Sequence, residues 1–212
     1  MGLEEGILHS ELRTPHSELR SSMISKVEIR RKIVHLSTLS IPVGYFLTSE
    51  KTALLVLSLL FLGFLAVDLL RRYHPRIKSF FGKYIIGRIL RERERTTFMG
   101  STYFLFSSIL TIFLFPESIA MASILILILS DTAAALVGKW IGRFPIFRKT
   151  LEGSIAFFIC SLLIVWLYPN LGRFSGSLAA LGATLVEVLP LQVDDNLTIP
   201  LVGGGIMLFL GG

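Results

Sequence analysis

The chain has 212 residues, 52% of them hydrophobic and only 17% charged, where an ordinary soluble domain is nearer a quarter charged. Its apolar residues come in long runs without strand-like alternation, which excludes an ordinary soluble domain and points to an all-α, polytopic integral membrane protein. The net charge of +6 does not indicate a nucleic-acid partner, because the cations cluster in short loops between the apolar runs.

Residues 1–25 form a polar arm in which His9-Ser-Glu-Leu-Arg13 recurs as His16-Ser-Glu-Leu-Arg20. The arm has no apolar core for a signal peptide, and Gly6 stands where a myristoylation motif needs Ser or Thr. It is expected to be flexible and dispensable, with Met23 a candidate start. Residues 26–212 are expected to form a single membrane-embedded domain. The first apolar run spans Ile33–Leu47 behind Arg30, Arg31 and Lys32, and the second spans Thr52–Leu70, with Asp68 just inside its end and Arg71-Arg72 following. A basic loop from Tyr73 to Thr97 contains the stretch SFFGKYIIGRIL, whose pattern predicts an interfacial amphipathic helix. Within it, the alternating charges of Arg91 to Arg95 predict a solvated helix face. Five further runs follow at Phe98–Phe115, Ser118–Val137, Ser154–Leu167, Ser175–Leu189 and Leu197–Leu210. The total is about seven transmembrane helices.

The N-terminal flank and the loops at 71–95 and 138–149 are rich in Lys and Arg, and with seven spans all three fall on one side. The positive-inside rule then places the N-terminus in the cytoplasm and the C-terminus outside. The remaining cytoplasmic loop, Pro190 to Asn196, carries Asp194 and Asp195 and no cation. Cys160 is the only cysteine and lies inside an apolar run, which leaves no intrachain disulfide and no cysteine-based metal site. The Gly203-Gly204-Gly205 run reads as a packing or kink site; there is no Walker A motif.

On this topology the unusual polar residues gather at the cytoplasmic face. Arg31, Lys32 and His35 share one helix face at the start of span one. Asp131 lies about two turns before the end of span four. Lys149 and Glu152 precede span five, Glu187 ends span six, and Asp195-Asn196 open span seven. A carboxylate inside a membrane is costly and marks a functional site by default. Carboxylates beside cations and one histidine suit Mg²⁺ or another divalent cation together with a polyphosphate. Small residues at helical spacing, Ala134, Ala135, Gly138 and Gly142, let another element approach the same face. Duller readings stand beside these: Arg31 and Lys32 as topology signals, His35 as an interfacial residue, Lys149 and Glu152 as an i,i+3 pair, Asp68 as the local partner of Arg71. The residues alone leave a transporter open.

Four segments in order carry a resemblance: Arg31-Lys-Ile-Val-His35; SDTAAALVGKWIG from Ser130 to Gly142; Lys149-Thr-Leu-Glu152-Gly153-Ser154; and Ala183-Thr-Leu-Val-Glu187 followed by Asp195-Asn196. Together they resemble the polyprenol kinase family, which groups dolichol kinase, phytol kinase and the CTP-dependent diacylglycerol kinase. The resemblance runs from about Lys26 to the C-terminus. It implies transfer of the γ-phosphoryl group of a nucleoside triphosphate, typically CTP, to the hydroxyl of a membrane lipid alcohol. It further implies catalytic roles for Asp131, Glu152, Lys149 and His35. Phosphate or nucleotide contacts would come from Arg31, Lys32, Lys139, Lys149, Gly138, Gly142, Gly153, Ser154 and Asn196, and metal contacts from Asp131, Glu187 and Asp195. The expected partners are the lipid, the nucleotide and the bilayer. The rival readings are a phosphatidate cytidylyltransferase, which would release pyrophosphate instead of CDP, and a transporter using its buried carboxylates.

Overall fold

The computed structural model describes residues 30–85, 94, 97–168 and 170–211. The arm over 1–25, Met23, residues 86–90 of the amphipathic stretch and most of the 91–95 run lie outside the described residues. The architecture is all-α apart from one two-residue-per-strand hairpin, a feature the sequence pattern did not announce.

The expected first span is broken in two. Helix α1 covers 30–37 and α2 covers Ser40–Leu47, with a turn at Thr38-Leu39. Pro42 explains the break, because it has no N–H to offer the carbonyl four residues back and its ring crowds that carbonyl. That carbonyl, of Thr38, takes a tighter bond from the Ile41 amide at 2.9 Å instead. Helix α3 then runs over Glu50–Tyr73, capped by Ser49, whose hydroxyl accepts from the Thr52 amide at 3.2 Å. The chain extends at His74 and re-enters a helix at once. Here α4, Pro75–Tyr84, places proline in the first turn, where a missing N–H costs nothing. No residue of α4 is buried, as an amphipathic helix lying on a surface requires.

Helix α5 covers Gly100–Leu114. The next helix is continuous over Glu117–Trp140 but changes pitch inside: α6, Glu117–Leu125, passes through a π-helical segment at Ile126–Ser130 into α7, Asp131–Trp140. Strands β1, Pro145–Ile146, and β2, Lys149–Thr150, form an antiparallel hairpin with Ile146 opposite Lys149. Helix α8 follows at Leu151–Leu167, capped by Thr150, whose hydroxyl accepts from the Gly153 amide. Helices α9, Arg173–Val188, and α10, Asp195–Phe209, complete the chain. Pro200 lies inside α10 and leaves the carbonyl of Asn196 without its helical donor. The Ser107 hydroxyl of α5 fills that place at 2.6 Å.

Among the described residues two helices are long and apolar enough to cross a membrane, Glu50–Tyr73 and Glu117–Trp140; Gly100–Leu114, Leu151–Leu167 and Asp195–Phe209 are apolar but shorter. The most apolar window of Glu117–Trp140 is 67% buried, against 17% for Glu50–Tyr73, which makes the former the central helix and the latter a peripheral one. Around the centre, α7 packs on α8, α8 on α9, α9 on α10, α10 on α5 and α5 on α3. Leu55, Val56, Leu59, Leu62 and Phe64 of α3 point outward, an apolar exterior that suits lipid better than water. Of the glycine run, only Gly204 is a packing site: a Cβ there would meet the Phe115 ring, whereas one on Gly203 or Gly205 would meet nothing within 4 Å.

Candidate functional site

The site begins at the change of pitch in the central helix. π-helical turns are rare and cluster at functional positions, because they turn the following residues to a new face and loosen the carbonyl ladder. Side chains meet the carbonyls here: His35 Nε2 lies 3.3 Å from the carbonyl of Leu127, and the Thr132 hydroxyl donates to that of Ile128 at 2.7 Å. The segment is pinned from behind by a buried hydroxyl pair, Ser161 donating to Ser130 at 2.9 Å. Asp131, the first residue of α7, then faces α1.

Lys32 reaches Asp131 from α1. Its ammonium donates to the backbone carbonyl at 2.9 Å and also meets the carboxylate Oδ2. His35, one turn further along α1, holds its Nε2 3.6 Å from the same oxygen. The expected shared face of Lys32 and His35 is therefore used, with both groups converging on one carboxylate. Lys32 is only 8% exposed, which is too buried for a simple topology signal.

A second cluster lies beside it. Lys149, on β2, donates to Glu187 Oε1 at 2.8 Å and to Asp195 Oδ2 at 3.0 Å. The other oxygen of Glu187 accepts from the Ser154 hydroxyl at 3.2 Å. Burial works against the Lys149 charge, but Asp195 and then Glu187 outweigh it and raise its pKa above the ordinary 10.5. Lys149 thus joins the ends of α9 and α10 to the hairpin and does not pair with Glu152.

Glu152 faces the opposite way, to the loop entering the hairpin. Its carboxylate accepts from the amides of Arg143 at 2.8 Å and Phe144 at 3.3 Å. Its own amide first, and then those two, hold its pKa below the ordinary 4.5 against the cost of desolvation. This is the geometry of a loop clamp.

Between these groups opens a cavity of about 500 Å³. Lys32, Lys139, Arg148 and Lys149 bring positive charge to its wall, and Asp131, Glu187 and Asp195 bring negative charge. Gly138 and Gly153 line its floor, where α7 and α8 nearly touch. A Cβ on Gly138 would come within 2.7 Å of the Thr150 hydroxyl, and one on Gly142 within 2.1 Å of the Gly138 carbonyl. Close approach accounts for Gly142, which does not line the cavity. Ser154 likewise acts through Glu187.

A smaller cavity of about 130 Å³ shares Lys32, Asp131 and Asp195 with the first. Arg31, His35 and Asn196 open onto this one, so the structure divides the expected phosphate-binding residues between two chambers. The Asn196 side chain donates to Asp194 Oδ1 at 2.8 Å and to the Gly100 carbonyl at 3.3 Å. Glu94 corrects the expectation of a solvated face: it is 7% exposed, lines this cavity, and accepts from the Gly100 amide at 2.7 Å. Behind it, Arg71 donates to the carbonyls of Glu94 and, at 2.7 Å, of Thr97. Asp68 holds Arg71 in place, accepting from its Nε at 2.7 Å and from the Met99 amide at 3.0 Å. The local Asp68–Arg71 pair therefore shapes the cavity wall from a distance. Sequence reasoning did not single out Glu94 or Ser101 as lining residues; an alternating charge run hides a buried member.

Among the described residues no three carboxylate or imidazole groups converge as a metal cage. Asp131 is engaged by Lys32, and Glu187 and Asp195 share Lys149. The donor chemistry suits a hard cation completed by a ligand's own oxygens better than a preformed protein site.

No family model matches the chain, and no solved structure matches it. A protein of Rickettsia prowazekii, the uncharacterised RP860, is 34% identical over 184 aligned positions, covering 82% of this chain and 90% of that one. The CTP-dependent diacylglycerol kinase 1 of Schizosaccharomyces pombe is 28% identical over 208 positions, covering 86% and 93%. The protein of the same name from Saccharomyces cerevisiae is 25% identical over 224 positions, covering 91% and 77%. The chain thus belongs to the same family as the Rickettsia protein, with the yeast CTP-dependent diacylglycerol kinases as more distant relatives.

Proposed function

We propose that this protein transfers the γ-phosphoryl group of CTP to the hydroxyl of a membrane lipid alcohol. The observation that carries the reading is the 500 Å³ cavity lined by Lys139, Arg148 and Lys149 together with Asp131. Phosphoryl transfer asks a protein for positioning and charge neutralisation and little covalent help. The relatives' name supports CTP as donor and diacylglycerol as the first acceptor to test; a polyprenol, a dolichol or a phytol-like alcohol is the wider class.

In this reading the chain spans the bilayer about seven times, its N-terminus is cytoplasmic, and the two cavities open near the cytoplasmic face. The triphosphate lies over Gly138 and Gly153, with Lys139, Arg148 and Lys149 meeting its oxygens. Asp131 accepts the hydroxyl proton as the bond to phosphorus forms, and His35 and Lys32 hold its carboxylate in place. Asp131 and Asp195 would hold Mg²⁺ together with phosphate oxygens, and the ion would supply neutralisation of the developing charge. Glu152 serves the site by fixing the loop before the hairpin.

The test is Asp131→Asn in detergent micelles with diacylglycerol. Loss of the general base should lower CDP release about 100-fold or more, with the variant still folded and still binding CTP. Wild-type rates in that variant would refute the role of Asp131.

A further inference from the structure

Two chambers meet at one wall, and their contrast identifies what each takes. Lys32, Asp131 and Asp195 line both. The larger adds the cations Lys139, Arg148 and Lys149, which answer a highly anionic triphosphate. The smaller has four carboxylates, Glu94, Asp131, Asp194 and Asp195, against the cations Arg31 and Lys32. Such a wall repels a triphosphate and accepts hydrogen bonds from a neutral alcohol. Volume agrees: nucleotide-sized ligands occupy clefts of about 300–1,000 Å³, which fits the larger chamber, whereas 130 Å³ is near the size of a cavity that takes one benzene ring, about 150 Å³, and suits a small polar head group.

The smaller chamber also has an apolar end. Phe104 and Val34 line it. Val34 is half exposed at its rim, and Ile33 and Leu36 beside it on α1 are exposed as well. An apolar tail therefore has a path out along the surface of α1.

We infer that the smaller chamber is the acceptor site, which takes the hydroxyl end of a neutral lipid alcohol while the nucleotide occupies the larger one. The inference rests on the phosphotransfer reading and adds direction to it. In-line transfer needs attacking and leaving oxygens on opposite sides of phosphorus, and a γ-phosphoryl group held at the residues both chambers share, Lys32, Asp131 and Asp195, is open to an acceptor in the smaller one. The acceptor oxygen bonds to the γ-phosphorus from the smaller chamber as the bond from that phosphorus to the bridging oxygen breaks. CDP leaves through the larger chamber, and the hydroxyl proton passes to the Asp131 carboxylate. Ser101, Thr38 and Phe104 then set which head groups enter.

The experiment fills each chamber in turn and measures the two Michaelis constants separately in mixed micelles of the full chain. Ser101→Leu, with Ser101→Val as the smaller substitution, should raise the KM for diacylglycerol about tenfold or more and leave that for CTP within roughly twofold. Ala135→Leu, in the larger chamber, should do the reverse. A working kinase in which Ser101→Leu and Ser101→Val raise the KM for CTP, or leave that for diacylglycerol unmoved, overturns the assignment alone. A folded wild-type chain that moves no γ-phosphoryl group to any lipid overturns the phosphotransfer reading beneath it.

Discussion

Removing the lysine that joins three elements tests how the larger chamber is built. Lys149 stands 2.8 Å from Glu187 and 3.0 Å from Asp195, and the Glu187 side chain is only 3% exposed. Lys149→Met leaves Glu187 as an uncompensated buried charge. Breaking a buried pair in this way costs about 3–5 kcal/mol. Asp195 is 29% exposed and rehydrates, so the lower end applies. A loss of about 3 kcal/mol corresponds to a fall in Tm of about 6–12 °C for a chain of this size. The double variant Lys149→Met/Glu187→Gln removes the stranded charge, and its amide oxygen can still accept from Ser154. It should recover about 2 kcal/mol of the loss while remaining inactive, because the phosphate contact is gone. Thermal unfolding in one detergent reads the first quantity, and CDP release reads the second. A single variant as stable as the double would show that Lys149 does not hold the Glu187 charge, and the description of the chamber would fail.

Two further expectations follow from the loop and from the helix contact. Because the Glu152 pKa is held below the ordinary 4.5, its contribution to order is present above that value and fades as pH falls through and below it. Hydrogen exchange at the Arg143 and Phe144 amides, corrected for intrinsic rates, should lose protection below pH 4.5 in the wild type, and Glu152→Ala, which removes the acceptor, should lack it throughout; pH-independent protection in both would contradict the clamp. Gly142→Ala should lower stability by about 1–3 kcal/mol through overpacking, since its Cβ would meet the Gly138 carbonyl and the Thr150 side chain. An unchanged Tm would contradict the tight packing of the turn after α7 against Thr150.

Much of the helix order was legible because apolar runs of this length have few alternatives. The membership of the site was also legible in part. Asp131, Glu187 and Lys149 are charges in apolar surroundings, and each needed a partner that the fold supplies. The partners themselves were not legible. Glu152 lies three residues from Lys149, yet the hairpin turns the lysine toward α9 and α10 and the glutamate toward the loop. The π-helical turn at Ile126–Ser130 has no marker in the run ILILS, because a change of pitch depends on what packs outside it. The break at Thr38-Leu39 was not read, although Pro42 inside the first apolar run is the residue that causes it.

The central claim is that the terminal phosphoryl group, and nothing else of the nucleotide, reaches the lipid. The most direct measurement supplies CTP labelled separately on the γ-phosphate and on the cytosine to the purified full chain with Mg²⁺ and diacylglycerol. The account predicts γ-label in the lipid and cytosine label in released CDP. Cytosine label in the lipid, with pyrophosphate released, would contradict it and make the protein a cytidylyltransferase.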